Sequence, residues 1–188
     1  MLSSKRMQKP YKTKLNWDKI KLMIFDCDGV LTDGRIIYDN NRLESKNFDA
    51  HDGMGFILLR QTEVMAAVIT GRSSTLLEQR CADLKIKHLY QGVASKLTKT
   101  EELLKELGLC FENVLYMGDD WNDIPVMFKA AISVCPANAA PDIKGLSDYV
   151  TSHEGGRGAV RECIELVLIN KRLIETAVTA YLDEISPH

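Results

Sequence analysis

Short apolar runs alternate along this chain with longer stretches in which apolar residues recur every three or four positions. Four of the short runs have strand length: Leu22 to Phe25, Val64 to Ile69, Val114 to Met117 and Ala130 to Val134. Being apolar on both alternating sides, they suit strands of a parallel sheet covered on each face by helices. Between them lie helical periods. "STLLEQRCADL" opens with Thr75 and Glu78 in capping-box spacing and carries Leu76, Leu77, Cys81 and Leu84 along one face. "SKLTKTEELLKELG" has Ser95 as an N-cap, Leu97, Leu104 and Leu107 on one side, and Gly108 where a helix should stop. A further helix is expected after Asp52. Strands alternating with helices predict an α/β fold, a doubly wound parallel sheet of Rossmann-like type with right-handed crossovers.

Two regions depart from that rhythm. "GRIIYDNNRLESKNF" places β-type residues on either side of Asp39-Asn40-Asn41, which predicts a β-hairpin projecting from the sheet. From about Ala159, the positions Val160, Cys163, Ile164, Val167 and Leu168 mark a C-terminal amphipathic helix, and "NKR" at 170–172 interrupts its stripe before Leu173, Ile174, Ala177 and Val178. No internal repeat, low-complexity tract or linker divides the chain. The expectation is one domain over residues 15–188, preceded by a flexible basic tail over residues 1–14.

At 188 residues, 45% hydrophobic and 27% charged, the composition is that of a globular protein. With 26 acidic against 24 basic residues there is no broad attraction to nucleic acid or to an anionic membrane, so an anionic small molecule has to be caught by a local cluster. The five cysteines show no CxxC pairing and read as reduced thiols of a cytoplasmic protein, Cys27 as a core residue. The basic N-terminus lacks the apolar core of a signal peptide, and no later run reaches membrane-spanning length.

The candidate chemistry sits where apolar runs end. Ligands of an open parallel sheet collect beyond the carboxyl ends of its strands. There the chain offers Asp26 and Asp28, then Thr70, Gly71 and Arg72, then Asp119, Asp120 and Asp123, with Lys96 opening a helix between the last two sets. Like charges about 4 Å apart repel by roughly 4 kcal/mol at an effective dielectric near about 20, so the acids need a neutralising partner. Hard oxygen ligands with few nitrogens suit Mg²⁺, which also accepts a phosphate oxygen. Lys96 and the Thr70 hydroxyl would hold a phosphoryl group, one carboxylate would attack it to give an aspartyl phosphate, and the second aspartate of the DxD would move the protons.

"DCDGVLTDG", "ITGR", Lys96 and "GDDWND" resemble, in order, motifs one to four of the haloacid dehalogenase superfamily of phosphotransferases. More narrowly, "FDAHDGMG", "HLYQG" and "GGRGAVRE" are similar to the 3-deoxy-D-manno-octulosonate 8-phosphate phosphatase family, over roughly residues 20 to 165. The resemblance implies that Asp26 is the nucleophile and a metal ligand. It implies that Asp28 is the general acid/base and lends its backbone carbonyl to Mg²⁺, and that Asp119 is the third metal position. Asp123 would orient metal waters, with Asp120 either a ligand, a second-layer support or a helix cap. Thr70, Gly71 and Lys96 match phosphate-binding positions. Arg72, Arg80 and the loop from Asp49 through His51 and Asp52 to Gly53 fall where the family contacts substrate. Arg72 could instead form a local ion pair and Arg80 be a surface charge.

The interval from Asp26 to Thr70 has no room for a folded lid beside the hairpin and helix. The family's solution, a homotetramer with hairpins packed together and a neighbouring chain's "GGRG" segment over the site, implies that Arg157 reaches substrate from the next subunit. The implied activity is hydrolysis of 3-deoxy-D-manno-octulosonate 8-phosphate in lipopolysaccharide biosynthesis, with a nine-carbon ulosonate 9-phosphate as the open alternative. A response-regulator receiver also gathers aspartates, a threonine and a lysine around Mg²⁺. Its phosphorylated aspartate follows the third strand, whereas here the DxD follows the first, so the order speaks against a signalling module.

Overall fold

The computed structural model describes residues 15–186, so the expected tail over 1–14 lies outside the described residues. Leu22–Phe25 forms β1, followed by a hairpin of β2 (Ile37–Tyr38) and β3 (Glu44–Ser45) and by α1 (Ala50–Leu59). Then come β4 (Met65–Ile69), α2 (Thr75–Asp83), β5 (His88–Tyr90), α3 (Lys96–Leu107) and β6 (Val114–Met117). The chain continues through α4 (Ile124–Lys129), β7 (Ile132–Cys135), α5 (Pro141–Leu146), β8 (Tyr149–Val150), α6 (Ala159–Asn170) and α7 (Ile174–Ile185).

Six strands make one parallel sheet in the order β5-β4-β1-β6-β7-β8, while β2 and β3 pair with each other antiparallel, as the hairpin reading expected. From β1 the chain winds outward to β4 and β5, then returns to β6 on the other side. The topological switch point therefore lies between β1 and β6.

Strand parity divides the core in two. Met23, Phe25, Val68, Leu115 and Met117 face the layer of α1, α2, α6 and α7, and Leu22, Ile24, Ala67, Ile69, Val114 and Tyr116 face that of α3, α4 and α5. Every residue of β1, β6 and β7 is buried, which is why these strands lack polar alternation. Ser95 caps α3 by accepting from Thr98 N, and Gly108 ends it at φ 65°.

Some expectations are corrected. Ser74, not Thr75, precedes α2, and its hydroxyl makes no capping bond. Leu76 is only half-buried, so the core face of that helix is Leu77 and Cys81, continued by Leu84. The strand expected over 130–134 starts at Ile132, because Ala130 still bonds back to Val126 as the close of α4. All five cysteines are free, and Cys27 is in the core. No helix among the described residues is long and apolar enough to cross a membrane.

Candidate active site

β1 ends at Phe25, and Asp26 prolongs its ladder by donating its N–H to Met117 O at 3.0 Å. Extended geometry stops at Cys27, whose carbonyl accepts from the N–H groups of Val30, Leu31 and Thr32. The turn passes through Gly29 at φ 92°, where a Cβ would stand 2.0 Å from Asp119 Oδ2. Glycine is required there by both backbone and space. The break also separates the two acids, which have different partners.

Asp26 shares the α3 and α4 side of the sheet with a buried cluster. Lys96 Nζ lies 2.7 Å from Asp26 Oδ2 and 2.6 Å from Asp123 Oδ1. The Tyr116 hydroxyl donates to the same Asp123 oxygen at 2.5 Å, and Asp123 Oδ2 accepts from Asp119 N at 3.0 Å and Asp120 N at 3.2 Å. Protein donors thus reach both oxygens of Asp123, which anchors Lys96 and the turn after β6. Asp120 is a cap, accepting from Trp121 N at 2.8 Å. Tyr116 escaped sequence reading; its one signal is a hydroxyl within an otherwise apolar strand, and a buried phenol needs an acceptor.

Burial, and then the charge of Asp123, raise the Asp26 pKa to about 6, although Lys96 pulls the other way. Burial, then Asp123 and Asp26, push Asp119 to about 7. Burial disfavours the Lys96 ammonium, but Asp123 and Asp26 outweigh it and raise its pKa. The cluster carries more negative charge than one lysine balances. Asp26, Asp119 and Asp123 each bring an oxygen within 4.8 Å of the others, and Asp26 Oδ1 is buried with no hydrogen-bond partner. An orphaned carboxylate oxygen among hard donors, beside an excess of negative charge, fits Mg²⁺.

Asp28 points to the hairpin. Lys46 Nζ donates to its Oδ1, and Arg72 Nε stands 3.7 Å from its Oδ2. Arg72 also binds Glu44 at 2.7 Å and the Tyr38 hydroxyl at 2.9 Å, so the local ion pair left open in the sequence is formed. Lys46 was not anticipated, since a lysine beside a hairpin carries no signal of burial. On the phosphate side, Thr70 is buried at the end of β4, its N–H bonded to Tyr90 O, and Gly71 and Arg72 follow it.

The segment expected as a substrate loop, Asp49 to Gly53, is instead the capped first turn of α1. Asp49 caps it by accepting from His51 N and Asp52 N, and Asp52 is buried, accepting from Arg161 N at 2.8 Å to cap α6 in turn. Gly53 leaves room for Arg80, which donates to Asp49 O at 3.1 Å and lies over the Phe48 ring, so it is not a free surface charge. His51 is exposed. The "GGRG" segment packs on the chain's own Gly29 turn. Gly156 N donates to Val30 O at 3.0 Å, and a Cβ on Gly155 would meet Gly29 O at 1.8 Å. Arg157 projects outward near Glu154. A cleft of about 310 Å³ between the starts of β4 and β5 and the ends of α1 and α2 is at the opposite end of the sheet from this chemistry.

Carboxylates and a buried lysine at the switch point of a doubly wound sheet fit a hydrolase that works with a divalent cation. A haloacid dehalogenase-like hydrolase family profile matches residues 83–164. The 3-deoxy-D-manno-octulosonate 8-phosphate phosphatase of Escherichia coli strain K12 is 46% identical over 160 residues, 85% of each chain. The crystal structure of the Yersinia pestis phosphatase of that name is 43% identical with a TM-score of 0.83, covering 85% of this chain and 86% of its own. That of the Moraxella catarrhalis enzyme, in complex with magnesium ion, phosphate ion and the sugar acid KDO, is 37% identical with a TM-score of 0.84, covering 88% and 95%. The chain belongs to the haloacid dehalogenase-like hydrolases, within the family of the 3-deoxy-D-manno-octulosonate 8-phosphate phosphatases.

Proposed function

We propose that this chain is a Mg²⁺-dependent phosphatase that hydrolyses 3-deoxy-D-manno-octulosonate 8-phosphate to the free sugar acid and inorganic phosphate, in lipopolysaccharide biosynthesis. The observation that carries the reading is the orphaned, buried oxygen of Asp26 beside Lys96 and Asp119 at the switch point. Asp26, Asp119 and the backbone carbonyl of Asp28 hold Mg²⁺, which when bound offsets the negative charge on the phosphoryl oxygens.

An Asp26 oxygen attacks phosphorus, the bond from phosphorus to the sugar oxygen breaks, and the Asp28 carboxyl gives its proton to that oxygen. A water oxygen then bonds to phosphorus as the Asp26–phosphorus bond breaks, and Asp28 takes the water's proton. Thr70, the Gly71 amide and Lys96 hold the phosphoryl oxygens in place. Arg72, Arg80 and the turn from Asp49 through His51 and Asp52 to Gly53 lie toward the substrate, and Arg157 reaches it from the neighbouring subunit. Residues 15–188 act as a single hydrolase domain.

A site without a lid domain needs a cover, and we assign it to a homotetramer. Its support is the hairpin, on which Ile36, Ile37, Tyr38 and Leu43 are 39% to 66% exposed. The free thiols support a cytoplasmic enzyme.

Phosphate release measured with Mg²⁺ or with EDTA tests the function, over a panel of the eight-carbon acid phosphate, a nine-carbon ulosonate 9-phosphate and simple sugar phosphates. Metal-dependent preference for the eight-carbon acid is expected. Preference for the nine-carbon acid overturns the substrate, and no turnover of any phosphate overturns the reading.

A further inference from the structure

Lys46 directly follows β3 in a surface hairpin, yet its side chain is only 3% exposed. Burying an ammonium costs several kcal/mol unless charges and hydrogen bonds compensate. Two carboxylates stand near it. Glu44 Oε1 is 3.7 Å away, beyond hydrogen-bond reach, while Asp28 Oδ1 is in direct contact. A lysine serving only to hold the hairpin together would be satisfied by Glu44, which already bridges to Arg72 within the same network. The closer partner is the second aspartate of the DxD. Lys46 therefore binds one oxygen of Asp28 by a charge-assisted hydrogen bond, while Arg72 Nε stands 3.7 Å from the other, Oδ2.

We propose that Lys46 is a positioning residue for the proton-transfer group: by holding Oδ1 of Asp28, it aims Oδ2 at the sugar oxygen of the substrate phosphate. The proposal rests on the acid/base reading of Asp28 given above. Lys46 itself forms and breaks no bond in the reaction.

The test compares kcat/KM for two phosphates. An alkyl phosphate, the eight-carbon sugar acid 8-phosphate, needs a proton on its leaving oxygen; p-nitrophenyl phosphate leaves as a stable phenolate and needs none. Since kcat/KM covers the steps only through release of the leaving group, hydrolysis of the phosphoenzyme does not enter. Lys46→Met is expected to lower the alkyl-to-aryl ratio of kcat/KM at least about tenfold, within the range that proton transfer contributes. Lys46→Arg, which keeps a donor, is expected to restore most of that ratio. Equal losses on both substrates, or an unchanged ratio, overturn the proposal. If Lys46→Met does not fold, Lys46→Gln is read by the same ratio. Asp28→Asn serves as the control on the underlying reading: if it leaves the ratio unchanged, the acid/base assignment of Asp28 fails. If it lowers the ratio while Lys46→Met does not, only the positioning role fails.

Discussion

At the scale of single residues, Asp123 and Asp26 show how two carboxylates a few ångströms apart acquire different work. Asp123 is bonded by protein donors at both oxygens, whereas Asp26 keeps an unbonded oxygen. Asp26→Asn should abolish phosphate release while leaving the circular dichroism spectrum and folding transition near wild type; retained turnover would rule out Asp26 as the nucleophile. Burial, with Asp123 beside it, holds the Tyr116 phenol well above its ordinary pKa, so it stays a donor. Tyr116→Phe removes one bond to a buried charge and should cost about 1–3 kcal/mol in denaturant unfolding. The raised carboxyl groups give a pH signature. With folded pKa values of about 6 for Asp26 and about 7 for Asp119, both above the ordinary aspartate value of 3.8, the metal-free folded state binds more protons than the unfolded one between those limits. Their contribution to stability therefore falls as pH rises through that window. Mg²⁺ replaces those protons, so the Tm increase it produces over EDTA should be larger near about pH 8 than near about pH 5. Equal increases at the two pH values, by calorimetry, would contradict the metal assignment.

Elements were legible in proportion to their length and their dependence on local pattern. β1 and β6 fall on the apolar runs that announced them, and α3 starts and stops at its cap and its glycine. β5 and β8, three and two residues long, are too short to carry a period and exist because a neighbouring strand offers free backbone groups. The stretch from Asp49 to Gly53 suits a ligand loop by resemblance, whereas its capping aspartate makes it the first turn of α1. The segment between β8 and α6 is set by side chains remote from it in pattern. Glu162, on α6, accepts from Ser152 N, His153 Nδ1 and Tyr149 OH; these bonds outweigh burial and lower its pKa to about 2. That anchor seats Gly155 and Gly156 on the Gly29 turn, backbone against backbone. Gly155→Ala should therefore lower stability by about 1–3 kcal/mol, as overpacking does, and reduce kcat together with it. Wild-type Tm and kcat in that variant would show that the segment does not support the catalytic turn.

Across the whole molecule, the order β5-β4-β1-β6-β7-β8 brings Asp26, Thr70, Lys96 and Asp119 from four separate chain segments to one edge. The same topology leaves the hairpin standing clear with apolar residues exposed. Ile37→Asp combined with Leu43→Asp should shift sedimentation from the proposed tetramer to smaller species and lower kcat/KM. A fully active monomer would reject a neighbour as the lid. Sequence alone determined the parallel doubly wound class, the hairpin, the two long amphipathic stretches and the identity of the acids, the threonine and the lysine at strand ends, because these depend on apolar period and on neighbours within a few residues. Only the tertiary structure decided that Asp123 is bonded by Tyr116 and Lys96, that Lys46 is buried against Asp28, and that the glycine segment lies on its own chain's catalytic turn. Each of those contacts joins residues on different elements or across a tight turn, where direction and distance are set by how the layers pack and not by spacing along the chain.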